Sequence, residues 1–86
     1  MNGLKDISAR AIVRKRLNRV RTGNLGNTRN LSQGVWELKI DFGPGYRVYF
    51  GEDGAKIVVL LVGGDKGSQE RDIQKAKEYW KDYQSV

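Results

Sequence analysis

The feature that most constrains this chain is the alternation on either side of Gly43-Pro44-Gly45. Before it, Trp36, Leu38, Ile40 and Phe42 alternate with Glu37, Lys39 and Asp41. After it, Tyr46, Val48 and Phe50 alternate with Arg47 and Tyr49. Successive side chains of a strand point to opposite faces, so each run separates an apolar from a polar set. The proline removes a backbone donor and the glycines permit positive φ, which makes the intervening triplet a turn. The stretch therefore reads as a β-hairpin with one apolar face and one polar face. Lys39, Arg47 and Tyr49 lie on the polar face.

The remaining elements arrange themselves around this hairpin. Glu52-Asp53-Gly54 predicts a second tight turn. The run Ile57-Val58-Val59-Leu60-Leu61-Val62 is apolar without alternation, the pattern of a central strand covered on both faces. A flanking segment or a partner must then shield part of the polar face. Residues 1–22 read as helical with a break near Asp6 to Ser8, because Leu4, Ile7 and Ala11 fall on one side and Ala9, Val13, Leu17 and Val20 on another. Asp6 or Ser8 is the expected N-cap of a helix running to about Thr22, with Gly23-Asn24 as its stop and residues 1–5 as the stub of an earlier helix or a frayed end. Asn24 to Gln33 reads as a polar loop over one sheet edge. Gly63 to Ser68 leaves the last strand for a final helix, with Ser68 as N-cap and Ile73, Ala76, Trp80 and Tyr83 as its apolar stripe. No repeat or linker divides the chain, so residues 1–86 form one domain.

At 86 residues the domain is near the size at which a single core just suffices. It has no cysteine and no histidine. That excludes disulfides, thiolate zinc sites, a serine–histidine–aspartate set and imidazole acid–base chemistry. Glu37, Asp41, Asp65 and Asp72 come from separate elements, so no metal site is expected. Gly63-Gly64-Asp65-Lys66 departs from the spacing of nucleotide-binding loops, and no cofactor is expected; backbone amides and Lys66 ahead of a helix still suit a single phosphate. No stretch approaches the ~18 apolar residues of a membrane span, and no signal-peptide core is evident, so a cytoplasmic location is expected.

The net charge is +6, from 16 basic and 10 acidic residues. Arg10, Arg14, Lys15, Arg16, Arg19 and Arg21 crowd the first helix without an acidic neighbour. A solvated face and a ridge for nucleic acid or an acidic protein both remain open. On the hairpin, Lys39 and Arg47 point the same way from neighbouring strands, and Lys66 emerges at the end of the strand beside them. Arg71, Tyr79 and Tyr83 follow on the last helix. Convergence of three cations, rather than any one of them, singles this region out.

Trp36-Glu37-Leu38-Lys39, Gly43-Pro44-Gly45-Tyr46-Arg47-Val48-Tyr49-Phe50, Leu60-Leu61-Val62-Gly63-Gly64-Asp65-Lys66 and Gln69-Glu70-Arg71-Asp72-Ile73 with Ala76 together resemble the HigB-like addiction-module killer proteins. These are related to a phage-derived family and belong to the RelE/ParE toxin superfamily, and the likeness runs from about residue 8 to residue 83. It implies an α+β fold, with a small antiparallel sheet of about three to four strands packed against N-terminal and C-terminal helices, the helices on one side. It also implies a toxin of a type II toxin–antitoxin system, held inactive by a helix-turn-helix antitoxin and cleaving mRNA on the ribosome. Lys39, Arg47 and Lys66 match the family's functional cations. In the mechanism this implies, the ribose 2′-hydroxyl attacks the adjacent phosphate, Lys39 assists its deprotonation, and Arg47 and Lys66 bind the phosphate oxygens. Tyr49, Arg71, Arg14 and Arg16 are the expected RNA contacts, Tyr49 by stacking or hydrogen bonding.

Two departures accompany the likeness. The first strand of the family has no counterpart ahead of Leu4, which would leave a sheet edge unpaired. The tyrosine that some RelE members carry on the last helix falls near Asp72, with Tyr79 or Tyr83 as substitutes. The alternatives are a ParE-like toxin that blocks DNA gyrase without catalysis, and an inactive homologue that only binds its antitoxin.

Overall fold

The computed structural model describes residues 7–23, 26–43, 45–64 and 66–85. The order is helix α1 (Ile7–Arg21), strands β1 (Thr28–Asn30), β2 (Val35–Ile40), β3 (Tyr46–Asp53) and β4 (Lys56–Gly63), a 3-10 turn (Lys66–Ser68) and helix α2 (Gln69–Gln84). The strands form one antiparallel sheet in the order β1-β2-β3-β4. This is the α+β architecture that the resemblance implied. No helix among the described residues is long and apolar enough to cross a membrane.

The alternation decides what each strand buries. Leu38 and Ile40 of β2 join Val48 and Phe50 of β3 and pack against Val13 and Val20 of α1. Val35 of β2 and Tyr49 of β3 instead join Ala76 and Trp80 of α2. Neighbouring residues on a strand thus feed two separate cores, and the two helices lie on opposite faces of the sheet. That corrects the expectation of both helices on one side. The physical cause is Val35, Tyr49 and Leu61: without a second helix their apolar surface would face water, at roughly 1.5–3 kcal/mol for each large side chain.

The apolar run in β4 is explained by an irregularity. Tyr49 pairs with Leu61, but Phe50 pairs with Val59, so Leu60 is an extra residue in the ladder. Leu60 and Leu61 therefore both join the α2 core, while Ile57 and Val62 join the α1 core. A helix meets each face of β4, but none of its residues is fully buried and Val59 is 40% exposed, so the expected cover is incomplete; β4 ends the sheet rather than sitting at its centre. Its composition is that of an inner strand and its position that of an edge.

Local signals account for the connections. Gly23 takes φ 98° and its amide donates to the Val20 carbonyl at 3.0 Å, which ends α1 as expected. Ser8 lies inside α1 and not at its cap; the Asp6 cap, the stub at residues 1–5 and Asn24 lie outside the described residues. The expected polar loop contains β1, whose Arg29 faces Glu37 across the pair. Gly54, with φ 62°, opens the two-residue turn between Asp53 and Lys56. Ser68 precedes α2 but makes no side-chain capping bond; its hydroxyl donates to Asp72 Oδ2 at 3.1 Å. Trp80 needs bare backbone on two sides, because a Cβ at Gly34 or Gly51 would come within 2.6 Å of its indole.

Candidate functional site

The α2 face of the sheet changes character along its length. At one end Val35 and Gly51 lie under Trp80. In the middle Glu37 pairs with Tyr49, and at the other end Lys39 pairs with Arg47. Helix α2 begins over the middle: the Gln69 side-chain amide donates to Glu37 Oε2 at 3.0 Å. Lys39, two residues further along the same face, escapes the helix and is exposed, while Arg47 is half-buried. Directly opposed residues stand about 4.5–5.5 Å apart at Cβ, and like charges in that relation repel. Two cations so placed repel each other unless an anion comes between them.

The third cation enters by topology. Arg47 pairs with Gly63 at the end of β4, and the exit loop returns toward the hairpin turn, where a Cβ at Gly64 would stand 3.2 Å from the Gly45 carbonyl oxygen. Lys66 opens the 3-10 turn three residues after Gly63. Its backbone is thus close in sequence to the strand end beside Arg47; its side chain lies outside the described residues.

The floor behind these cations is polar and closed. Glu37 is only 6% exposed, and it accepts from Gln69 and pairs with Arg29 Nη2 at 3.4 Å. Tyr49 is fully buried, and its hydroxyl has no hydrogen-bond partner among the described residues. Burial pushes the phenol up to about 12, the Glu37 and Asp72 carboxylates push in the same direction, and Arg47 partly opposes them. The phenol therefore keeps its proton at neutral pH. A ring with no exposed surface cannot stack on a base, so the expected RNA contact by Tyr49 is corrected. In this fold the ring supports the strand beneath Arg47.

Asp72, on the first turn of α2, closes the same floor from above, where a Cβ at Gly63 would meet its Oδ2 at 2.5 Å. Glu37, Gln69 and Asp72 are the participants that the sequence reading passed over as isolated polar residues. The signal available was Glu37's place on the same strand face as Lys39.

The other expected contacts disperse. Arg14 and Arg16 belong to α1, behind the opposite face of the sheet. Arg14 borders a groove beside β4, whereas Arg16 borders a small depression with Gly26, Asn27 and Leu38. Neither joins Lys39 and Arg47. Arg71 is exposed on the first turns of α2. Tyr83 sits at the far end of α2, where its hydroxyl donates to Asp53 Oδ2 at 2.8 Å and its ring stacks on Trp80 at 5.3 Å. That bond holds the Tyr83 phenol above its ordinary value, and it removes the residue from the cationic end. Among the described residues no group of carboxylates is arranged to hold a metal ion.

Residues 5–81 match the family profile of the phage-derived protein Gp49-like. The chain is 42% identical over 77 residues to an uncharacterized protein of Haemophilus influenzae, covering 90% of this chain and 78% of that protein. No solved structure matches.

Proposed function

Since the chain belongs to the phage-derived Gp49-like family, we propose that it is the toxin of a type II toxin–antitoxin pair and cleaves mRNA on the ribosome. The observation that carries this reading is the Lys39–Arg47 pair on an uncovered end of the sheet, beside the strand end that leads to Lys66. In the proposed reaction the ribose 2′-oxygen attacks the adjacent phosphorus and the bond from phosphorus to the 5′-oxygen breaks. The products are a 2′,3′-cyclic phosphate and a 5′-hydroxyl, with the proton of the 2′-hydroxyl passing to the leaving oxygen by way of side chains or water.

Arg47 and Lys66 bind the nonbridging oxygens as negative charge grows, and Lys39 stands beside the 2′-hydroxyl. Placement of these charges before the reaction supplies most of what such a site offers, and the ribosome positions the message against it. Glu37 and the buried Tyr49 hold the strands in register behind the cations. Arg71, on the exposed surface of α2, contacts the flanking RNA.

Arg47→Ala is the decisive variant. Expression of the parent arrests growth and yields discrete messenger ends by primer extension; Arg47→Ala reduces cleavage on the order of 10²–10³-fold, as removal of one charge-stabilising donor does elsewhere. Unchanged arrest with unchanged messenger ends would overturn the role of Arg47. Arrest with intact messenger and inhibited supercoiling would replace cleavage by gyrase blockade.

A further inference from the structure

At the opposite end of β3 from Arg47, the last turns of α2 meet the turn between β3 and β4. A cavity of about 640 Å³ opens there, bordered by Glu52, Asp53 and Gly54 on the strand side and by Trp80, Tyr83 and Gln84 on the helix side. The aromatic side of it is held in place. Trp80 is buried against Gly34 and Gly51, and Tyr83 lies flat on it, the ring planes 8° apart and the centroids 5.3 Å apart. The Tyr83 hydroxyl is tied to Asp53 Oδ2 at 2.8 Å. One face of the Tyr83 ring is thus taken by the indole, yet the residue remains 38% exposed. An open aromatic face carries negative potential and attracts a cation placed over it.

The charge of this corner runs against that of the chain. The protein carries a net charge of +6, but this turn offers two exposed carboxylates in succession, Glu52 and Asp53. Neither takes part in an ion pair among the described residues, although Lys56 stands opposite Asp53 across the turn. A fixed aromatic stack and two uncompensated carboxylates therefore border one cavity.

We infer that this cavity seats an arginine side chain of a cationic partner protein. The guanidinium lies on the open face of Tyr83, continuing the Trp80–Tyr83 stack, and its N–H groups donate to Asp53 and Glu52. A lysine ammonium is a compact, strongly hydrated charge that cannot extend a planar stack. Nucleic acid could stack on the ring, but the two carboxylates repel its phosphates. A second copy could offer arginines from α1, but two copies that each carry +6 repel. Its α1 and this cavity are also different surfaces, so the contact would propagate instead of closing a dimer.

The test uses the full chain and three probes: a fluorescein-labelled peptide of alternating arginine and serine, the same peptide with lysine for arginine, and oligouridylate. The arginine peptide binds, the lysine peptide binds at least about tenfold more weakly, and added salt weakens both. The indole N–H resonance of Trp80 and the backbone amides of residues 52–54 shift on binding, while those of Lys39 and Arg47 do not. Asp53→Asn, which keeps an acceptor for the Tyr83 hydroxyl, and independently Tyr83→Leu each weaken binding at least about tenfold, with an unchanged circular dichroism spectrum.

No binding of the arginine peptide, equal affinity for its lysine counterpart, or full affinity in Asp53→Asn would overturn the inference. So would displacement of the peptide by oligouridylate, or a self-association in sedimentation that Asp53→Asn dissolves. None of these readouts depends on messenger cleavage, so loss of the cleavage reading leaves the inference standing, and the reverse holds.

Discussion

The two faces of this sheet are built from the same strands and do different things. The α1 face is an aliphatic and aromatic core: Val13 and Val20 pack on Leu38, Ile40, Val48 and Phe50. The α2 face begins in the same manner under Trp80 but passes through Glu37, Gln69, Asp72 and the Tyr49 hydroxyl before ending at Lys39 and Arg47. One face therefore holds the strands together, while the other grades from packing into charge.

That contrast sets the order of the expected effects. Phe50→Ala opens the α1 core where it is fully buried and costs about 3–5 kcal/mol, enough to populate unfolded chain in a domain of this size; urea denaturation measures it. A loss below ~1 kcal/mol would show that the α1 face is not the main source of stability.

Alkaline titration sharpens the comparison from the other side. The native state holds the Tyr49 proton more tightly than the unfolded chain, with a pKa of about 12 against 10.0. The corresponding stability is complete below pH 10.0 and is lost as pH rises toward about 12, at roughly 1.4 kcal/mol per pH unit. Tyr49→Phe removes this part of the slope, and parallel slopes for parent and variant would contradict the buried, charge-flanked phenol.

Gly51→Ala pushes a methyl into the Trp80 indole and costs about 1–3 kcal/mol. Combined with Trp80→Leu, its added cost shrinks; strict additivity in a double-mutant cycle would mean that the two do not touch. The smallest effect is Tyr49→Phe at neutral pH. Deleting a buried hydroxyl that bonds to nothing described changes stability by less than about 1 kcal/mol, in either direction, by thermal or urea unfolding.

Most of the elements were legible residue by residue. Trp36 to Phe50 gave the β2–β3 hairpin through its alternation, Gly23 ended α1, and Ile73, Ala76 and Trp80 predicted the side of α2 that packs on the sheet. Less was legible at the site. The pairing of Lys39 with Arg47 followed from the hairpin register, but the burial of Tyr49 did not, because an alternating strand looks the same whether its second face meets water or a helix. The pairing of Glu37 was not legible either, because Gln69 and Arg29 reach it from other elements. Arg14 and Arg16 read as part of one cationic surface with Lys39 only while the side taken by α1 was unknown.

What the sequence determined by itself was phase: which residues of each strand or helix share a face, and where each element stops. Those properties depend on neighbours within a few positions, on glycine's access to positive φ and on periods of 2 and 3.6. What only the tertiary structure decided was partnership: that the helices take opposite faces, that β4 ends the sheet and that Glu37 and Asp72 come to lie about Tyr49. Such outcomes depend on which apolar faces can be covered together, a condition on the whole chain that no local window contains.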